Sequence, residues 1–110
     1  MERRAAVIAL GALAQDTRLQ VFRRLVAAGE AGVSAGDLAR DLDVAPATLS
    51  FHLKELARAE LVDGHQDGRF VIYKAKLDAM AELIGYLALD CCGGRPELCL
   101  PRKLDLALEA

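Results

Sequence analysis

Apolar residues recur at three-to-four spacing along most of the chain, which is the period of amphipathic helices. The clearest case begins at Pro46, after which Leu49, Leu53 and Leu56 follow at this spacing. Proline is favoured at a first helical position because its missing N–H would have no partner there. The pattern predicts a helix over residues 46 to 58 whose leucines lie on the buried face.

The outward face of this helix has the chemistry of a groove-binding surface. At about 100° per residue, one outward row combines an aromatic ring, two cations and a methyl group, flanked by hydroxyl side chains. Arg and Lys bind phosphate or guanine edges, Ser and Thr bind either, and Ala or Phe contacts a thymine methyl. The predicted DNA-contacting residues of this helix are Ala47, Thr48, Ser50, Phe51, His52, Lys54 and Arg58. Packing is the alternative role for His52, and an ordinary solvated helix is the alternative for the whole face.

A second short helix is predicted directly upstream. Ser34 begins a sequence typical of a helix N-terminus, and Leu38, Ala39 and Leu42 follow on one face. Residues 43 to 45 then form a three-residue turn. Two short helices joined this tightly form a helix-turn-helix whose second member is the recognition helix.

Downstream, the pattern changes to that of strands. Leu61-Val62 and the run from Phe70 to Tyr73 are β-prone, and residues 65 to 69, which contain Asp67-Gly68, join them. Asp-Gly between such runs favours a hairpin. A helix-turn-helix followed by a hairpin is a winged helix, so the predicted fold is mainly α with a small β-hairpin. Arg69, just past the hairpin tip, is predicted to contact a phosphate or the neighbouring minor groove.

The N-terminal region predicts two further helices. Residues 4 to 14 are apolar nearly all round, which suits a helix held between its own domain and a partner subunit. A secretory signal peptide is the less favoured interpretation of this run, which is also too short to span a bilayer. The next helix is predicted to be capped by Asp16 or Thr17 and to end near Gly29. Its predicted core residues are Leu19, Phe22, Leu25 and Val26, and its predicted solvated residues are Arg18, Arg23 and Arg24.

A last helix is predicted from Asp78 to about Asp90. Its apolar stripe consists of Leu77, Met80, Ile84, Leu87 and Cys91, with Leu83 beside it. Little chain remains to cover this stripe, so we expect it to pair with its symmetry mate in a homodimer through the N- and C-terminal helices. Such a dimer would place two recognition helices about one DNA turn, roughly 34 Å, apart and would bind an inverted repeat in double-stranded operator DNA.

The net negative charge of the chain does not argue against DNA binding once the distribution of charged residues is considered. The 110 residues, 54% hydrophobic and 5% aromatic, fit one compact domain, and the net charge is −2. Residues 1 to 76 carry eleven Lys or Arg against ten Asp or Glu, whereas residues 77 to 110 carry three against six. DNA affinity would therefore come from locally placed cations and would be sensitive to salt.

The three cysteines, Cys91, Cys92 and Cys99, all lie within nine residues near the C-terminus. An odd, clustered number does not suit a secreted disulfide framework, so we expect reduced thiols and a cytoplasmic protein without a membrane partner. We expect two parts: a DNA-binding and dimerisation domain over residues 1 to 90, and a cysteine-containing tail over residues 91 to 110.

The glycine pair after the first two cysteines would interrupt the last helix and let both sulfurs turn inward. Pro96 would bend the chain so that Cys99 returns as a third ligand. Three thiolates are one ligand short of structural zinc, but they match As(III) or Sb(III), which forms three bonds to sulfur. A soft ion such as cadmium, lead or zinc, thiol oxidation, or a purely structural role are the alternatives. No resident cofactor is expected.

Three segments together resemble the ArsR family of metal- and metalloid-sensing bacterial repressors. They are Leu13–Leu19, the Thr48–Leu56 part of the recognition helix, and the wing from Asp67 to Tyr73. Departures include Asp16 at a common proline position, and Ala45 and Ala47 at common polar positions.

The resemblance implies a metalloid-responsive repressor that binds operator DNA as a dimer and dissociates on binding As(III) or Sb(III). The thiol site that the family often has before the turn is absent from residues 33 to 38. The tail cysteines instead resemble those of arsenic-responsive members with thiols after the last helix. No spacing of residues suggests catalysis, so we do not expect an enzyme. A winged helix that binds another protein is the remaining alternative.

Overall fold

The structure is a computed structural model that describes residues 1–89 and 93. It confirms the predicted winged helix-turn-helix. The elements in chain order are α1 (Arg3–Leu13), α2 (Asp16–Ala28), a 3-10 turn (Gly29–Ala31), β1 (Val33–Ser34), α3 (Ala35–Leu42), α4 (Pro46–Arg58), β2 (Val62–Asp67), β3 (Phe70–Ala75) and α5 (Leu77–Ala88). Within the described residues, no helix has the length and apolar character needed to cross a membrane.

The core forms where α2, α3 and α4 pack against one another and against the sheet. The largest side chains that are almost completely buried are Val21, Leu25, Leu38, Leu49, Leu53, Leu56 and Leu61. Burying a leucine contributes roughly 1.5–3 kcal/mol, so the three leucines of α4 anchor this helix firmly. The predicted buried face of α4 is confirmed.

The sheet contains a strand that the sequence did not indicate. Its order is β1-β3-β2 and all neighbours are antiparallel, with Val33 opposite Tyr73 and Ser34 opposite Ile72. Ser34 also caps α3 as predicted, because its Oγ accepts a hydrogen bond from the backbone N–H of Asp37 at 3.1 Å. The wing is therefore part of a three-stranded sheet, and its edge strand β1 is followed directly by α3, the first helix of the helix-turn-helix.

The hairpin loop is shorter than expected. Strands β2 and β3 extend until Asp67 pairs with Phe70, which leaves Gly68 and Arg69 as the loop in place of residues 65 to 69. Gly68 has φ +62°, as the first position of a two-residue type II′ loop requires. Arg69 consequently lies at the tip itself.

Two expectations about α2 were wrong. Its N-cap is Gln15, whose side chain accepts a hydrogen bond from the backbone N–H of Arg18, so neither Asp16 nor Thr17 caps the helix. Leu19 is 45% exposed, and Val21 occupies the core beside Phe22 and Leu25. At about 100° per residue, Leu19 lies about 160° around the helix from Val21, so the face that buries Val21 and Leu25 leaves Leu19 exposed.

The outer helices each bury one narrow face and expose apolar residues on another. Ala6 and Ala9 of α1 and Leu83 of α5 are buried. Helix α5 ends at Ala88, slightly before the predicted end at Asp90, which lies outside the described residues. The exposed large apolar residues of these two helices are Val7, Ile8, Leu10, Leu77, Ile84 and Leu87.

The end of α4 is tied to the start of α5. Glu60 follows α4 with φ +63°, and its carboxylate accepts a hydrogen bond from Lys76 Nζ at 2.6 Å. The backbone N–H of Lys76 donates to the carbonyl of Leu61 at 2.8 Å. The hydrogen bond to Lys76 lowers the pKa of Glu60, and the same bond raises the pKa of Lys76. The recognition helix is thus connected to a helix with an exposed apolar face.

Candidate nucleic-acid interface

Helix α4 occupies the predicted span without change. Pro46 is at its first position, and Ala45 precedes it with no side-chain cap, as expected from the missing hydroxyl. The loss of a polar cap costs about 1 kcal/mol, which the buried leucines of the helix offset. Position and rotation of α4 are therefore set by the core.

The outward row of α4 is open to solvent. The exposed members of the predicted set are Ala47, Thr48, Ser50, Phe51, Lys54 and Arg58. Phe51 is 55% exposed, which is unusual for an aromatic side chain that has no partner molecule. Arg58 forms an ion pair with Glu55 at 3.3 Å, and its side chain is still 74% exposed. The row presents an aromatic ring, hydroxyls and cations on one face.

His52 is a correction to the predicted DNA-contacting set. Its side chain is 8% exposed, and Nδ1 lies 3.2 Å from Nη1 of Arg18. Packing, the alternative role, accounts for its position. Arg18 is also a correction, because it is half-buried and its Nε donates to the carbonyl of Ala12 at 2.6 Å, whereas the sequence placed it in solvent.

The spacing of residues could have identified the burial of His52. It lies three residues after Leu49 and four before Leu56, which places it on the leucine face of α4. The polar character of histidine outweighed this pattern in the sequence interpretation. A buried histidine needs a hydrogen-bond partner, and Arg18 from α2 provides it.

The turn between α3 and α4 depends on a left-handed residue. Asp43 has φ +53°, and its N–H donates to the carbonyl of Arg40 while the N–H of Val44 donates to that of Ala39. These two bonds form the Schellman arrangement that closes a helix C-terminus. Glycine is usual at this left-handed position. Here the residue is Asp43, so the sequence does not reveal the motif.

The wing brings a further cation to solvent. Arg69 is exposed at the loop of the hairpin, and His65 is exposed on β2. Residues 59 to 61 connect α4 to β2. The backbone N–H of Leu61 donates a hydrogen bond to the carbonyl of Leu56 in the last turn of α4. The wing is therefore held directly against the recognition helix.

The predicted metal ligands Cys91, Cys92 and Cys99 lie outside the described residues, as does most of the proposed tail over residues 91 to 110. Among residues 1–89 and 93, no group of three or more His, Cys, Asp or Glu side chains is arranged to hold a metal ion. The thiol site stays a prediction.

Comparison with known proteins identifies a matching domain family and several relatives. A helix-turn-helix domain family matches residues 13–65. The cadmium resistance transcriptional regulatory protein CadC of Listeria innocua is 38% identical over 64 residues, which are 58% of this chain. This match spans 52% of the length of CadC, so about half of that protein has a counterpart here.

Two solved structures extend the similarity. HlyU from Vibrio cholerae is 33% identical, and the alignment covers 79% of this chain and 97% of that one with a TM-score of 0.63. An ArsR-like transcriptional regulator from Rhodococcus is 24% identical, covers 96% of this chain and 92% of its own, and has a TM-score of 0.69. The Rhodococcus protein, at this low identity, indicates the shared fold.

Proposed function

Because the chain belongs to the ArsR family of winged helix-turn-helix transcriptional regulators, we propose that it is a homodimeric repressor that binds operator DNA and releases it on binding a thiophilic ion. Membership of a family of transcription regulators agrees with the expectation that the chain is not an enzyme. The observation that carries the proposal is the open polar and aromatic row on α4, held in place by three buried leucines.

DNA recognition is assigned to α4 and the wing. Ser50 and Phe51 project from the N-terminal half of the recognition helix, where side chains of a helix-turn-helix contact base edges. Lys54 and Arg58 lie further along the same row and suit phosphate contacts. Arg69 at the tip of the wing suits the adjacent minor groove or backbone.

Dimerisation is assigned to α1 and α5. Both helices expose large apolar side chains, including Val7 at 62% and Leu87 at 59%. Apolar rows of this kind on two neighbouring helices are typical of an interface between subunits. A two-fold dimer would place two copies of α4 roughly 34 Å apart and would select an inverted repeat.

The effector site is assigned to Cys91, Cys92 and Cys99. Their sulfurs follow α5 in the sequence, so an ion bound there would act next to the proposed dimer interface. Three thiolates without a neighbouring imidazole favour As(III) or Sb(III), which needs three sulfur ligands. A change in the angle between the subunits would then separate the two recognition helices from successive major grooves.

Cadmium is the second candidate effector. The similarity to a cadmium resistance regulator supports it, and thiolates bind soft divalent ions well. A fourth ligand from the partner subunit or from water would complete its coordination. Arsenite and cadmium are therefore compared in the same experiment.

The test is a fluorescence anisotropy titration of the full chain on a duplex selected from a random-sequence library. Arsenite is expected to weaken DNA binding of the wild-type protein about 5- to 150-fold, which corresponds to a coupling of about 1–3 kcal/mol. The triple variant Cys91→Ser, Cys92→Ser, Cys99→Ser is expected to bind DNA equally well and to be insensitive to arsenite.

The outcomes separate the parts of the proposal. Release of the triple variant by arsenite would refute the thiol site. Release of the wild type by cadmium at concentrations where arsenite has no effect would replace the metalloid by a soft divalent ion. Failure to select any duplex at low salt would refute the DNA-binding function.

A further inference from the structure

The N-terminal half of α4 exposes an apolar surface within its polar outward face. Ala47 and Phe51 are four residues apart, so their side chains are neighbours on the same face of the helix. Both are exposed, and Phe51 keeps 55% of its surface open to solvent. The buried residues of α4 are its three leucines and His52. Packing of the core therefore does not account for an aromatic ring at position 51.

The ring of Phe51 contacts a side chain that is itself held in place. It meets the His52 ring edge-on, with centroids 5.4 Å apart and an interplanar angle of 63°. His52 is 8% exposed, and its Nδ1 lies 3.2 Å from Nη1 of Arg18 in α2. This contact restricts Phe51 on one side and leaves the other side open. A side chain that is already restricted loses less conformational freedom when it contacts a ligand.

The chemistry of this surface limits what it can recognise in a major groove. Asn and Gln, which bind adenine through two hydrogen bonds, do not occur in α4. The flanking Thr48 and Ser50 carry hydroxyls, which both donate and accept and therefore do not distinguish strictly between bases. The group on a base edge that is complementary to an apolar side chain is the C5 methyl of thymine. Ala47 and Phe51 together match this group.

The cations of the row lie further along the helix. Lys54 follows Phe51 by three residues and is exposed, and Arg58 lies one turn later with its side chain 74% exposed beside Glu55. Phosphate contacts fix the register of a protein on the duplex, whereas the N-terminal residues of a recognition helix contact base edges. The apolar pair therefore lies in the half of α4 that suits base contacts, and the cations follow it.

We infer that Ala47 and Phe51 recognise a pyrimidine C5 methyl group, so that the presence of this methyl determines affinity at one position of each half-site. The inference rests on the proposed function, because it requires α4 to lie in the major groove. Thymine supplies the methyl group in unmodified DNA. 5-Methylcytosine carries a methyl group on the same ring atom, so methylation of a cytosine at this position would strengthen binding.

The first experiment removes the methyl group alone. Each thymine of the selected half-site is replaced in turn by deoxyuridine, which has the same hydrogen-bonding groups and lacks the methyl. Anisotropy is expected to show, at one position, a loss of affinity of about fourfold for one half-site and about 15-fold for both, from the transfer free energy of one methyl group. The loss is expected to be equal at about 50 and 200 mM salt, because an apolar contact releases no counterions.

Variants at position 51 assign the loss to the ring. Phe51→Ala is expected to bind the thymine and deoxyuridine duplexes equally at that position, whereas Phe51→Leu, which keeps an apolar side chain, retains most of the difference. The matched control is Ser50→Ala, which removes a neighbouring exposed hydroxyl and is expected to retain the full difference. Because Phe51 is exposed, helix content by circular dichroism is expected to be unchanged in all three variants.

Cytosine methylation tests the same contact with a different base. The thymine identified above is replaced by cytosine or by 5-methylcytosine, each paired with guanine. The wild type is expected to bind the methylated duplex about fourfold more tightly than the unmethylated one, again from the transfer of one methyl group. Phe51→Ala is expected to bind both equally.

The outcomes distinguish this inference from the proposed function. A selected half-site without thymine, or equal binding of thymine and deoxyuridine at every position, would overturn the inference. An equal loss in Phe51→Ala and the wild type would also overturn it, because the methyl group would then act through the shape of the DNA. Each of these results leaves DNA binding by α4 intact, whereas failure to select any duplex at low salt would refute the proposed function itself.

Discussion

Gly32, the residue before β1, lies close to strand β3. A Cβ atom built on it would be 2.7 Å from the carbonyl oxygen of Tyr73 and 2.8 Å from Cγ2 of Ile72. Its φ of +68° is also unfavourable for any residue with a side chain. Glycine therefore permits the close approach by which the chain enters β1.

The substitution Gly32→Ala is expected to destabilise the protein by about 2–4 kcal/mol, of which about 1 comes from the left-handed backbone and the rest from the clash with β3. The matched control is Gly36→Ala in α3, where nothing lies within 4 Å of the added methyl. Because alanine favours helix more than glycine, the control is expected to be stabilising by about 0.5–1 kcal/mol. Urea unfolding at one protein concentration measures both, and equal midpoints would contradict this account.

Single side chains were the hardest features to predict from the sequence. Leucine spacing identified Leu49, Leu53 and Leu56 as buried, because burial of apolar residues follows the helical period. His52 has the same period, but its burial requires Arg18, which is 34 residues away. The spacing therefore indicates the face of α4 on which His52 lies, whereas the partner that satisfies its ring in the core cannot be found from the local sequence.

At the scale of elements, local patterns were sufficient where the element depends on its own residues. The predicted span of α4 is confirmed, since a proline at the first position and three leucines lie within it. Strand β1 was missed because two residues become a strand only by pairing with β3, about 40 residues later. The left-handed residues that follow α3 and α4 were not predicted, because Asp43 and Glu60 occupy positions where glycine is usual.

Helix α4 as an element carries the next prediction. Lys54→Ala is expected to weaken DNA binding and to reduce the slope of log K against log salt by about 1.8 in the dimer, because each of two subunits loses one phosphate contact of about 0.9. The control is Arg4→Ala, which removes the same charge from the exposed first turn of α1. Anisotropy titrations between 50 and about 300 mM salt give the slopes. If the two variants have equal slopes, the effect comes from overall charge, and Lys54 does not contact a phosphate.

At the scale of the whole molecule, the exposed apolar side chains have a clear distribution. Val7, Ile8 and Leu10 lie on α1, and Ile84 and Leu87 lie on α5. A chain of 110 residues buries a limited fraction of its surface, so covering these rows by a second subunit would add to its stability. The sequence predicted the stripe on α5, and the structure leaves much of it uncovered by the rest of the described chain.

This distribution predicts the effect of a charge on α5. Leu87 is 59% exposed, and Leu87→Lys would place an ammonium group in the proposed apolar interface. The dissociation constant of the dimer is expected to rise about 100-fold, or about 2.7 kcal/mol, as measured by sedimentation equilibrium. Leu19→Lys is the control, because this leucine is 45% exposed and belongs to α2, not to α1 or α5. Since a monomer carries one recognition helix, Leu87→Lys should also lose affinity for an inverted repeat while keeping the weaker affinity for a half-site. An unchanged dimer for Leu87→Lys would mean that α5 does not form the interface between subunits, and equal dissociation of both variants would remove the support that this experiment gives to α5.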